Sequence, residues 1–114
     1  MGKPRIIPAS LMQNPRDFGR KYRPALVKTR FFTPAERASA WYQHQVAFAA
    51  AQELKALGET TKWLAGCLGV TEPWLLKKLH GQAPTSLQDL LAWALQLGVQ
   101  ILPEVESAAS LLAQ

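Results

Sequence analysis

Between residues 60 and 81 the apolar positions fall at helical spacing twice, with a glycine in between. Leu64, Ala65 and Leu68 form one stripe at i, i+1 and i+4, and Leu75 and Leu79 form a second. Gly69 stands where a helix ends most readily in a left-handed conformation, and Val70 is apolar enough to plug the corner. Thr71 is a good N-cap, and Pro73 falls in a first turn, where no intrahelical N–H is lost. Gly81 can end the second helix as Gly69 ends the first. The pattern predicts two amphipathic helices joined by a tight turn, with the core of the motif at 60–81.

The flanks extend the all-α reading. Thr33, Pro34 and Glu36 stand as N-cap, N1 and N3 of a capping box, and nothing breaks the helix until Leu57. Such a helix is about 36 Å long at ~1.5 Å per residue. Gly58 ends it and Thr60 caps the next. Ser86 with Asp89 starts another helix, whose stripe is Leu87, Leu90, Ala94 and Leu97 with Trp93 beside it, and Gly98 closes it. Ile101, Leu102, Val105, Leu111 and Leu112 suggest a final helix over 103–113. Leu91 and Leu95 lie off the core stripe and are expected at the surface. Prolines 4, 8, 15 and 24 break any long helix in residues 1–32, where Phe18, Tyr22, Phe31 and Phe32 argue against pure disorder.

The order TTKWLAGCLGV–TEPWLLKKLHG–SLQDLLAWALQLGV resembles the lambda-repressor/Cro-like (XRE-type) helix-turn-helix domain over roughly residues 45–106. The likeness lies in the small core residue after Leu64, the Leu-Gly-Val, the Thr-started second helix, the glycine after it, and a closing helix that ends in Leu-Gly-Val. It implies a compact five-helix domain over 33–114, with an extended first helix and a basic arm at 1–32. The family's first helix corresponds to about 44–57, so this one is longer at its start. There Trp41, Tyr42, Val46 and Phe48 can pack on the N-terminal segment or on a second subunit. The chain departs from the pattern at Glu59, where an apolar residue is usual, and at Thr61, where glutamine is frequent. A polar side chain at the Thr61 position often helps to fix the DNA backbone.

Charge is distributed unevenly. Residues 1–37 hold nine Lys/Arg and two acids, whereas the remainder holds four lysines and six acids, so the net +5 belongs to the N-terminal third. A basic arm suits a polyanion, most simply nucleic acid, although a solubilising tail has the same composition. Arg16, Arg20, Lys21, Arg23, Lys28 and Arg30 are its candidate phosphate or minor-groove donors.

In helix-turn-helix docking the start of the second helix reaches base edges. At about 100° per residue the face opposite Leu75 and Leu79 carries Pro73, Lys77 and His80. By position the resemblance puts Glu72, Pro73, Leu76 and Lys77 toward a major groove and His80 by a phosphate, and Thr71 and Trp74, which flanks this face, are also candidate DNA contacts. Thr61, Lys62 and Lys78 fall near the same side. No Asn, Gln or Arg is present on this helix for a bidentate base contact. Lys77 can address guanine, Glu72 a cytosine amino group, and Leu76, Pro73 and Trp74 thymine methyls. For each lysine, plain solvation is the competing reading, and for Trp63 and Trp74 it is shoulder packing.

One cysteine, Cys67, excludes an intrachain disulfide and fits a reducing cytoplasm. No signal-peptide core or membrane-length apolar run is present. His44 and His80 are far apart, no cluster has metal-ligand spacing, and no phosphate loop or nucleophile motif occurs. Enzyme activity, cofactor, metal and small-molecule ligand are therefore not expected. The expectation is a cytoplasmic, sequence-specific double-stranded DNA-binding protein, a transcriptional regulator of bacterial, phage or plasmid origin. A homodimer through the C-terminal helix or the extended first helix would suit it. An architectural or partition DNA binder and a protein-interaction module (antitoxin-like or adaptor) stay open, the latter because the second helix is largely apolar on its outer face.

Overall fold

A long helix, α1 (Pro34–Leu57), carries the fold; the computed structural model describes residues 7–28 and 32–104. Thr33 Oγ1 accepts from Glu36 N, and Glu36 Oε1 accepts from Thr33 N, so two of the orphan donors at the start of the helix are satisfied. Gly58, at φ 69°, closes the other end. Ala40, His44, Ala47, Ala50 and Leu54 are buried along one side, and three of these are alanines that let neighbouring backbone approach closely.

Two short helices follow, α2 (Thr61–Leu68) and α3 (Glu72–Leu79), capped by Thr60 and Thr71. At the corner Gly69 takes φ 70°, and the Val70 N–H donates back to Ala65 O at 3.0 Å, so the last carbonyls of α2 are used within the turn. Leu64, Ala65, Leu75 and Leu79 enter the core, with Val70 packed against it. The closing helix, α4 (Leu87–Leu97), starts from the Ser86/Asp89 capping box and buries Leu90, Trp93, Ala94 and Leu97. A 3-10 turn at Val99–Ile101 adds the buried Ile101.

Leu87 is a correction to the expected α4 stripe, because it is 71% exposed. It points to nearly the same side as Ala94, but it is the first helical residue. Its side chain leans toward the N-terminus, past the end of the core.

The N-terminal segment is folded onto the helices. It makes two 3-10 turns, Pro8–Leu11 and Pro15–Asp17, and a single antiparallel bridge between Met12 and Leu26. Ala9, Leu11, Met12 and Phe18 are core residues. Burying Leu11 and Phe18 at 0% and 1% exposure ties this segment to the domain; emptying one such site costs about 3 kcal/mol. One aromatic residue of α1 meets the same segment, Phe48 against Tyr22 at a tilt, while Trp41 lies 5.1 Å from the His44 ring within α1 itself.

The described residues form a compact all-α globule of four helices with 3-10 turns and no strand. The fifth helix expected over 103–113 lies outside them, except for Pro103 and Glu104, which are not helical. No helix among the described residues is long and apolar enough to cross a membrane.

Candidate nucleic-acid interface

Buried Leu75 and Leu79 set the inner side of α3, which leaves Pro73, Trp74 and Lys77 exposed and Glu72, Leu76 and Lys78 half-buried. Several of these side chains already have partners within the chain. Thr61 Oγ1 donates to Glu72 Oε2 at 2.8 Å, joining the starts of α2 and α3. Thr61 therefore gives its single hydroxyl proton to Glu72 and has none left for a phosphate, while Glu72 keeps lone pairs for another donor. Thr71 uses its oxygen to cap Trp74 N.

Lys77 and Lys78 separate. Lys77 is exposed. Lys78 turns inward, donating to Pro84 O at 2.8 Å, pairing with Asp89 at 3.5 Å and covering the Trp74 ring at 4.8 Å. It holds the connection between α3 and α4, together with Gln43, whose Oε1 accepts from the N–H of buried Thr85.

The end of α3 meets the N-terminal segment. Gly19 adopts φ 70° in a place where a Cβ would stand 2.6 Å from the Leu79 carbonyl oxygen and 3.1 Å from Ala47. A Cβ on Gly81, also at φ 70°, would meet the Phe18 ring at 2.6 Å. Ala9 N donates to Gly81 O at 2.9 Å. The approach is possible because these two positions lack side chains.

His44 locks the same turn from below. Its Nδ1 accepts from Gly19 N at 2.9 Å, which places the ring proton on Nε2 in the neutral form, and Phe18 meets the ring edge-on. Burial lowers its pKa to about 4, against backbone hydrogen bonding at Tyr22 and Lys21 and the Asp17 charge, which act the other way. Above the turn, Arg20 Nη2 donates to His80 Nε2 at 3.1 Å. Burial first, and then the Arg20 charge, lower the His80 pKa.

Of the predicted cations, Arg20 is thus fixed at the end of α3, and Arg16, Lys21 and Arg23 are exposed on the same turn, with Arg23 over the Tyr22 ring. Lys62 is exposed in the first turn of α2. Lys28 is exposed, next to Val27, whose carbonyl accepts from Arg37 on α1. Arg30 is outside the described residues. Sequence reasoning did not single out His44, Gly19 or Arg37. The signal for His44 was available: it sits on the core side of α1, four residues after Ala40 and ten before Leu54.

No family model, no curated protein and no solved structure matches this chain. Among the described residues no group of His, Cys, Asp and Glu can hold a metal ion. What the arrangement offers chemically is a short exposed helix face with one free lysine, bordered by arginines and a lysine held on ordered backbone.

Proposed function

We propose that this chain binds double-stranded DNA in a sequence-dependent way and acts as a small transcriptional regulator of the lambda-repressor/Cro-like kind. The observation that carries this reading is the Arg20–His80 contact, which sets the basic turn at the end of an exposed helix. In this reading α3 is the recognition helix and enters the major groove, Lys77 addresses guanine O6/N7, and Glu72 uses its spare lone pairs on a cytosine amino group. Pro73, Trp74 and Leu76 contact thymine methyls. Arg16, Arg20, Lys21, Arg23 and Lys62 neutralise phosphates on either side. With few bidentate donors available, phosphates and DNA shape carry much of the energy.

Selection from a random duplex library, followed by titration of the enriched duplex at two salt concentrations, tests the reading. An enriched motif whose affinity falls steeply with salt supports it. Salt-sensitive binding without a motif points to the architectural or partition role. No binding at low salt overturns it.

A second reading, a protein-interaction module of antitoxin-like or adaptor type, draws support from the apolar outer face of α3. Trp74 is 38% exposed, and Lys78, which lies over one side of its ring, directs its charge to Pro84 O and Asp89. An apolar protein interface would barely respond to salt.

A further inference from the structure

The turn from Arg16 to Arg23 holds four exposed cations, Arg16, Arg20, Lys21 and Arg23. No carboxylate among the described residues pairs with any of them. Asp17, the one acid on the turn, is half-buried, and its charge acts on His44. The two aromatic residues of the turn face opposite ways. Phe18 is 1% exposed and lies in the core, whereas Tyr22 is 68% exposed, more than any other aromatic residue among the described ones.

Tyr22 is exposed and yet held. Its ring leans on Phe48 of α1 at 5.8 Å with a 51° tilt, and the Arg23 guanidinium carbon stands 5.6 Å from its centroid. The backbone beneath is fixed at several points: Gly19 N donates to His44 Nδ1, and Arg20 N and Lys21 N both donate to Asp17 O. A turn tied down in this way presents its side chains at set positions and loses little freedom when it binds.

We propose that this turn binds single-stranded nucleic acid, with a base stacked on Tyr22 and the adjoining phosphates on Arg16, Arg20, Lys21 and Arg23. Cations that follow the backbone and an aromatic ring on which a base can lie are the two parts of single-strand binding without sequence preference. Stacking needs a free base face. In a duplex each base is covered above and below by its neighbours, and only edges are offered in the grooves. The open ring therefore has a use with a single strand that it lacks with a double one. Arg23 adds to it. Its contact with Tyr22 joins two exposed residues and is weak, so the guanidinium can swing aside and close over a base. Arg20 gives one N–H to His80 and keeps others for a phosphate. An anionic membrane would also attract the cations, but Leu11, Met12 and Phe18 are buried and leave no apolar face beside the turn to insert.

The inference shares its cations with the duplex reading but not Tyr22, and neither depends on the other; the library selection tests the duplex reading by itself.

The test is fluorescence anisotropy of the full chain at low salt with an end-labelled oligothymidylate of about twelve nucleotides, which cannot pair with itself. An abasic strand with the same number of phosphates is measured beside it, and an oligouridylate distinguishes RNA from DNA as the source of the strand. The wild type is expected to bind the thymidylate about tenfold tighter than the abasic strand. Tyr22→Ala should lose that preference, and Tyr22→Phe should keep it, because the ring face stacks and the hydroxyl does not. Salt separates the two parts of the site. Tyr22→Ala should leave the slope of log affinity against log salt unchanged, whereas Arg16→Ala should flatten it by about 0.7. Both side chains are exposed, so thermal melting by circular dichroism should show both variants folded. Equal affinity for the thymidylate and the abasic strand overturns the proposal. So does a Tyr22→Ala variant that binds as the wild type does, or the absence of binding at low salt.

Discussion

Arg20 Nη2 lies 3.1 Å from His80 Nε2, across sixty residues of sequence. A guanidinium has no lone pair to offer, so the imidazole must be the acceptor, and the contact requires a neutral His80. Burial and then the Arg20 charge both favour that form by lowering the pKa. Arg20→Ala is therefore expected to raise the His80 pKa toward its ordinary value, read from the imidazole resonances in an NMR titration. An unmoved pKa would mean that the contact is not held in solution. Under the DNA reading the same substitution should flatten the dependence of log affinity on log salt by about one.

His44 makes the fold acid-sensitive. Its folded pKa is lowered from 6.5 to about 4, so the unfolded chain takes up the proton first. Its contribution to stability is complete above pH 6.5 and is lost as the pH falls from there to about 4. The full loss is about 3 kcal/mol. His44→Gln retains an acceptor for Gly19 N but does not titrate. Urea unfolding at a series of pH values should find this variant less stable at pH 7, yet with a flatter decline below 6.5. Parallel curves for the two proteins would refute a neutral, buried His44.

Two glycines at the same dihedral angle should respond differently. Gly58 has φ 69° with nothing near its missing Cβ, whereas at Gly19, φ 70°, a Cβ meets the Leu79 carbonyl oxygen at 2.6 Å. Gly58→Ala carries only the left-handed backbone cost of about 1 kcal/mol. Gly19→Ala adds a collision with backbone that cannot rotate away. It is expected to lower stability by roughly double that or more, and to weaken the packing of the N-terminal segment. Equal melting temperatures for the two variants would show that the segment is not seated on Leu79.

These cases mark what could be read before folding. Caps and turns were legible because their chemistry is local: Thr33 with Glu36, Ser86 with Asp89, and Thr60 and Thr71 with the N–H three residues on all close within one turn. The α2–α3 corner followed from Gly69 and Val70 for the same reason. The seating of residues 8–27 was not legible, because 3-10 turns and one isolated bridge leave no hydrophobic period to find. Leu87 misled because a period gives the side of a helix and says nothing of where the core stops. Thr61 with Glu72 and Lys78 with Pro84 depend on distances set only after the helices have packed.

Adjacent lysines on α3 give the sharpest separation of structural from binding roles. Lys78 is only 17% exposed in its side chain, and it holds Pro84 O, Asp89 and the Trp74 face. Lys77 is exposed. Lys78→Ala should destabilise the fold by about 1 kcal/mol, mostly through the hydrogen bond to the carbonyl. Asp89→Asn in the Lys78→Ala background should cost less than in the wild type, because the pair is already broken. Lys77→Ala should leave melting unchanged within about 0.5 kcal/mol. In the DNA reading it should instead weaken binding of the selected duplex by about tenfold or more and relax preference at one base pair. If Lys77→Ala binds every duplex as the wild type does, α3 does not read bases through this lysine. The apolar remainder of its face, led by Trp74, would then be the surface to test against a protein.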